Sequence, residues 1–184
     1  MQNEKLVWLR LDEIENAIDN LEMVDFFLER IENEKKWKWI VISAHMALYG
    51  FAICAANNPP YQSVIDYGEN KQEGRLISLK EALEKLKKPI HDKSPNDYYK
   101  LLELSSSQED AIKKLSKEFR NHFEHFRPLH WSIVVSGFPK MILEIIEVIR
   151  FIAVDSHRVN TSIKDENRIT NVIEKIEIAI KQHT

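Results

Sequence analysis

The chain has 184 residues, 43% hydrophobic and 30% charged, with four glycines, six prolines, one cysteine and a formal net charge of −3. That is one domain's worth of protein, residues 1–184, long enough to bury a continuous core without metal or disulfide staples. Gly50, Gly68, Gly74 and Gly137 are not spaced for a dinucleotide-binding or phosphate-loop motif, and the lone Cys54 excludes an internal disulfide, a zinc ribbon and a C-x-x-C redox pair.

A reducing cytoplasm is the expected compartment. The first residues, Met1-Gln2-Asn3-Glu4-Lys5, lack the basic start and apolar core of a secretory signal. The small negative charge gives no global pull toward nucleic acid or anionic membrane, so such binding requires a local patch.

The first predicted element runs from Leu6 to Ile31, where apolar residues recur at steps of three to five as on a helix with one buried stripe. Residues 1–34 hold ten acids against three bases, so its outer face repels a phosphate backbone. Trp39–Ala56 follows, free of Asp, Glu, Lys and Arg. It is long enough to approach a membrane span, but Ser43, His45 and Gly50 interrupt it and Asn57-Asn58-Pro59-Pro60 ends it. A central helix buried on nearly all sides is expected, with no membrane, and with Trp37, Trp39, Tyr49 and Phe51 spaced for packing. Asn57–Leu76 reads as a surface connection. Ser78-Leu-Lys-Glu81 is a capping box opening a helix through Leu86.

Pro89–Leu104 has turn signals and the pair Tyr98 and Tyr99, to which the pattern assigns no role. Ser106-Ser-Gln-Glu109 predicts a second capping box. It opens a helix with Ile112, Leu115, Phe119, Phe123 and Phe126 on one face, ended at Arg127-Pro128. Trp131–Val135 is expected to be extended. Pro139 then suits the first turn of an apolar helix reaching Val154. A last helix near Asp165–Lys181 carries Ile169, Val172, Ile173, Ile176 and Ile180 at helical spacing. The sum is an all-α fold, a bundle of five or six helices with no sheet of consequence.

The chemistry-bearing segment lies in the helix after Ser106. Ala111–Trp131 carries five Lys or Arg against two acids. Lys113, Lys117, Arg120, Asn121 and His125 fall opposite the phenylalanines, separating an aromatic core face from a basic polar one. Arg120-Asn121-x-x-x-His125 resembles the R-N-x-x-x-H form of the motif of HEPN domains, small all-helical modules of prokaryotic toxins, defence systems and RNA-processing factors. Phe126, Pro128 and Trp131-Ser132 are similar to the tail that follows the motif in uncharacterised bacterial and plasmid members, and the resemblance runs from about Leu101 to Ile152. A second Arg/His match, Arg150 with His157, lacks the adjacent Asn and continues a polar stripe with Lys140, Glu144 and Glu147.

The resemblance implies a HEPN-like helical bundle and a metal-independent endoribonuclease in a toxin–antitoxin or defence setting, with no cofactor. Arg120, Asn121 and His125 would be catalytic, and Lys113, Lys117 and Arg127 would hold the RNA. An imidazole near neutrality can take a proton from the 2′-hydroxyl or give one to the leaving 5′-oxygen, and a guanidinium fork can hold the phosphate. Asn121, one turn before His125, would orient the imidazole or place the ribose. In an ideal helix Arg120 and His125 diverge by about 140° and ~7.5 Å. One copy is then too divergent for a single phosphate, and the resemblance implies a homodimer whose paired motifs share a cleft, with RNA and an antitoxin protein as partners.

Other readings stand beside this one. The same helix can be a non-catalytic module binding RNA, nucleotide or a protein partner, or a plain solvated face with His125 near a helix C-terminus. His122, His125 and His130 make a poor metal site, since the third lies beyond a proline. His45 reads as a hydrogen-bonded core histidine.

Overall fold

The computed structural model describes residues 12–30, 32–58, 63–68, 74–90, 98–124 and 132–182. Helix α1, Glu13–Arg30, opens on Asp12, whose carboxylate accepts the Glu15 amide at 2.8 Å. Acids in its first turn and Arg30 in its last oppose the helix dipole. Ala17, Ile18, Leu21, Val24 and Leu28 form its buried stripe.

Helix α2, Lys36–Ala56, is the expected central helix, about 31 Å long at 1.5 Å per residue. It has the length and apolarity of a membrane span, and 72% of its most apolar stretch is buried inside the bundle. Its close fit to α1 requires Gly50: a β-carbon there would lie 2.8 Å from that of Ala17. Trp39 departs from the expected packing. It is 45% exposed, stacked on Phe27 with ring centroids 6.0 Å apart and overlain by the Lys38 ammonium.

After α2 a two-residue antiparallel pairing joins β1, Ile65–Asp66, to β2, Arg75–Leu76. Gly74 permits it, because a β-carbon there would collide with Ile65. Helix α3, Leu79–Leu86, starts with the expected box, Ser78 and Glu81 capping each other. Arg75 grips the Glu81 carboxylate with both Nη atoms, at 3.2 and 2.7 Å, and so ties β2 to the start of α3.

The next run has three parts: α4, Ser106–Lys113; a π-helical stretch π1, Lys114–Phe119; and α5, Arg120–Glu124. Its cap is Ser105 with Gln108, one residue earlier than the expected Ser106 and Glu109. The sequence fits either register. The earlier one lets Ser107 donate to Glu144 at 3.1 Å and Gln108 to Glu147 at 3.2 Å, fastening this helix to the next. Residues 132–135 carry no regular secondary structure.

Helix α6, Phe138–Arg150, has Pro139 in its first turn and continues as π2, Phe151–Asp155, reaching the expected end. Helix α7, Ile163–Lys181, is capped by Ser162, and the five predicted apolar residues are all buried. Arg168 on α7 clamps two acids of α1, Glu15 at 2.7 Å and Glu22 at 2.6 Å, and Arg150 pairs with Glu177 at 2.8 Å to join α6 to α7. The described residues thus form an all-α bundle of six helical runs around α2, with one minimal strand pair.

Gly50→Ala sets a gain in helix propensity of up to ~1 kcal/mol against overpacking of about 1–3 kcal/mol. Because the blocking atom, the Ala17 Cβ at 2.8 Å, is fixed to its backbone and has no rotamer by which to withdraw, overpacking wins. Thermal denaturation should show a midpoint lowered by several degrees; an unchanged or higher midpoint would contradict this account of the α1–α2 contact.

Candidate functional site

The position of Arg120 is set by the π-wound turn before it. In π1 backbone amides reach five residues back, as the Arg120 amide does to the Leu115 carbonyl. This corrects the expectation of a regular α-helix. The winding is held by the core: Leu115 is fully buried, and the Phe119 ring lies on Phe138 with centroids 4.7 Å apart. Phe138 meets Trp37 of α2 edge-on at 5.9 Å, so an aromatic chain links this turn to the central helix. The expected core role of Phe119 and half-buried Phe123 thus holds.

With Leu115 and Phe119 turned inward, Lys113, Ser116, Lys117 and Arg120 line a cleft of about 630 Å³. The opposite walls come from two distant segments: His45, Met46 and Tyr49 of α2, and Leu79, Lys80, Leu83 and Glu84 of α3 with Lys87 just past its end. Met46, Leu79, Leu83, Leu104 and Ile112 make the lining largely apolar, while charges gather around it. Lys87 occupies both carboxylates of the lining, Glu84 at 3.0 Å and Glu109 at 3.6 Å. Lys113 and Lys117 have no ion pair among the described residues, and with Lys80 and Arg120 they leave the cleft positive. An apolar hollow with a few converging polar groups is the common form of a small-ligand site.

The protonation of two lining groups is fixed by their surroundings. Hydrogen bonding to Lys87 holds the Glu84 carboxyl below its usual range. Burial, followed by the charges of Glu13 and Glu81, pushes the Tyr49 phenol up, and its hydroxyl donates to the Ile77 carbonyl at 2.7 Å. Tyr49 is therefore a structural donor, unsuited to act as a base near neutrality. His45, 8% exposed, lies on the same α2 face one turn earlier. The spacing of His45 and Tyr49 was the one signal in the sequence that they share a wall; nothing local revealed Ser116, Lys80 or Lys87 as neighbours of Arg120.

Of the predicted catalytic residues, Arg120 and Asn121 are joined: the Arg120 Nη1 donates to the Asn121 Oδ1 at 3.3 Å. The Asn121 amide nitrogen donates to the Lys117 carbonyl at 3.3 Å. Both ends of that side chain are engaged on its own helix, where they orient the guanidinium. Lys113 and Lys117 are exposed at the cleft. His125 and Arg127, together with Phe126, Pro128, His130 and Trp131, lie outside the described residues.

The competing motifs resolve differently. Arg150 is committed to Glu177, and His157, at a positive φ of 57°, stands 5.2 Å from the Tyr98 ring. Tyr98 and Tyr99 pack edge-to-face at 5.3 Å beside His157 and do not line the cleft. The His122 ring nitrogen Nδ1 contacts the Glu118 carbonyl on its own helix. Among the described residues no group of three His, Cys, Asp or Glu side chains could hold a metal ion. The Cys54 thiol is pushed up to about 12, chiefly by burial, which makes it a poor nucleophile. Comparison of the chain with family models, curated proteins and solved structures returned no match.

Phe138→Ala removes a 2%-exposed ring from between Trp37 and Phe119. A loss of about 3–5 kcal/mol is expected in chemical denaturation. Amide exchange in Lys114–Glu124 should accelerate more than in α7; equal protection of π1 in wild type and variant would show that the ring does not hold the turn.

The wall formed by α3 should respond to acid. Hydrogen bonds from Arg75 first, then from Ser78, hold Glu81 down to about 2 from its usual 4.5. A depressed carboxyl contributes stability in full above the unfolded value and loses it as pH falls through the folded one. Amide protection in α3 should therefore differ most between wild type and Glu81→Gln above pH 4.5, and the difference should close toward pH 2. A difference that persists or widens on acidification would contradict the clamp.

Proposed function

We propose that this chain is a HEPN-like, metal-independent endoribonuclease whose phosphate-holding group is Arg120. The supporting observation is the setting of that guanidinium: it is tied to Asn121 and lines a positive cleft alongside Lys113 and Lys117. A fixed fork of donors in a partly desolvated hollow suits charge building on phosphate oxygens.

In the proposed reaction the 2′-oxygen attacks phosphorus and its proton passes to an imidazole, for which His125 is the candidate. The bond to the 5′-oxygen breaks, and that oxygen receives a proton from a second imidazole. The products are a 2′,3′-cyclic phosphate and a 5′-hydroxyl, with no oxidant, reductant or metal required. A homodimer supplies the second imidazole, and the cytoplasmic setting is that of a toxin or defence nuclease restrained by an antitoxin protein. A non-catalytic reading, binding of RNA, a nucleotide or a protein partner, is favoured by one observation: the cleft is lined largely by apolar side chains, which hold a ligand without taking part in chemistry.

Labelled tRNA and total RNA incubated with protein in excess EDTA should yield 2′,3′-cyclic ends. Arg120→Ala and His125→Ala should each lose activity by roughly 10²–10⁴-fold, the range of a lost transition-state donor or general base. The variants should also relieve any growth defect caused by wild type. Equal cleavage by all three proteins, or its abolition by EDTA, would overturn the proposal.

A further inference from the structure

We infer that the cleft beside Arg120 receives one unstacked nucleobase of the RNA and thereby selects the position of the cut; this rests on the ribonuclease reading and names its substrate preference. The argument begins with Ser116. A helical serine commonly bonds the carbonyl four residues earlier. In π1 the backbone reaches five residues back, and the Ser116 hydroxyl is buried with no hydrogen-bond partner. Ser116 itself lines the cleft, and one staggered step about its χ1 would present there a group able to donate and accept, so the ligand it fits must carry a polar edge.

The remaining lining sets the shape of that ligand. Met46, Leu79 and Leu83 offer apolar surface to a flat body, and the His45 and Tyr49 rings, 6.4 Å between centroids, add an aromatic stretch. An acyl chain would match the apolar surface and leave Ser116 unsatisfied. A sugar would match Ser116 and leave the apolar wall bare. A heteroaromatic ring satisfies both, with apolar faces and a donor–acceptor edge, which is how single-stranded RNA bases are read.

Charge places the ring within a polyanion. Lys113 and Lys117 are one turn apart, ~6 Å along the helix, and Arg120 follows on the same wall. Three cations in a row beside one hollow roomy enough for a base suit a strand whose backbone tracks the helix while one base turns inward. The paired Glu84 and Glu109, held by Lys87, stand at the lining without cancelling that row.

The test uses full-length protein and the four ribonucleoside 5′-monophosphates, with ribose 5-phosphate as the probe lacking a base. Calorimetry should show at least one nucleotide binding about tenfold or more tighter than ribose 5-phosphate, and Ser116→Ala should remove most of that margin. Sequencing the ends cut from a randomised RNA pool should show a base preference beside the cut that Ser116→Ala relaxes and that the cleft-filling Met46→Trp shifts. Ser116→Ala, conservative in a helix, keeps the test valid should Met46→Trp fail to fold. Binding of ribose 5-phosphate as tight as every nucleotide, or a cut-site preference unchanged in Ser116→Ala, overturns the base pocket. Base-selective binding lost in Ser116→Ala, with no RNA cut by wild type, supports the pocket and sinks the ribonuclease reading instead.

Discussion

A helix with apolar side chains around its whole circumference has to be enclosed, and enclosing α2 dictates the arrangement of the bundle. Fifteen of its 21 residues are buried, so α1, α3, α6 and the run containing Arg120 each supply a stripe to cover it. The closest of these contacts, Ala17 on Gly50, brings the α1 and α2 backbones nearly together. Hydrophobic burial acts without direction, and small residues at one crossing convert it into a defined fit. The cleft is the place where that enclosure stays incomplete. Met46 and Tyr49 of α2 are only partly covered there, between α3 and the run of Ser106–Glu124.

Electrostatics divides the surface along the same lines. Glu15 and Glu22 of α1 are engaged by Arg168 of α7, Glu144 and Glu147 of α6 by Ser107 and Gln108 of α4, and Glu177 of α7 by Arg150 of α6. Bidentate contacts of this kind do more to fix the register of neighbouring helices than to add stability, since part-exposed ion pairs contribute about 0–1 kcal/mol each. Acidic and basic functions are thereby separated. The carboxylates hold helices together, while lysines on the α4–π1 wall stay available at the cleft.

Much of the fold could be read directly because its signals are local. The Ser78–Glu81 box, Pro139 in the first turn of α6 and the isoleucine stripe of α7 each depend on residues a few positions apart. The Ser105 cap escaped reading because two overlapping pairs, Ser105 with Gln108 and Ser106 with Glu109, satisfy the same rule. Tertiary bonds to Glu144 and Glu147 decide between them. The exposure of Trp39 was hidden for a similar reason: it is stabilised by Phe27 from another helix. At the site, periodicity gave the basic wall of Lys113, Lys117 and Arg120. The facing walls come from residues 45–49 and 78–87, and no spacing rule joins such distant segments. The π winding was invisible too, since the residues of Lys114–Phe119 fit an α-helical pattern equally well.

A six-residue stretch of wide winding amounts, in inheritance, to one codon added to a regular helix. Deleting any single residue from Lys114–Phe119 would let the chain close into ordinary spiral geometry at no cost in propensity. The side chains on either side would keep their facing, because the wide turn absorbs the extra residue locally, and the change would fall on the residues inside the turn. Lineages that shed that codon would keep the bundle and the facing of the guanidinium, but the serine hydroxyl stranded by the wide winding would regain the carbonyl one turn before it, so the length of this one turn, more than the identity of any residue in it, governs whether that hydroxyl is left for a ligand.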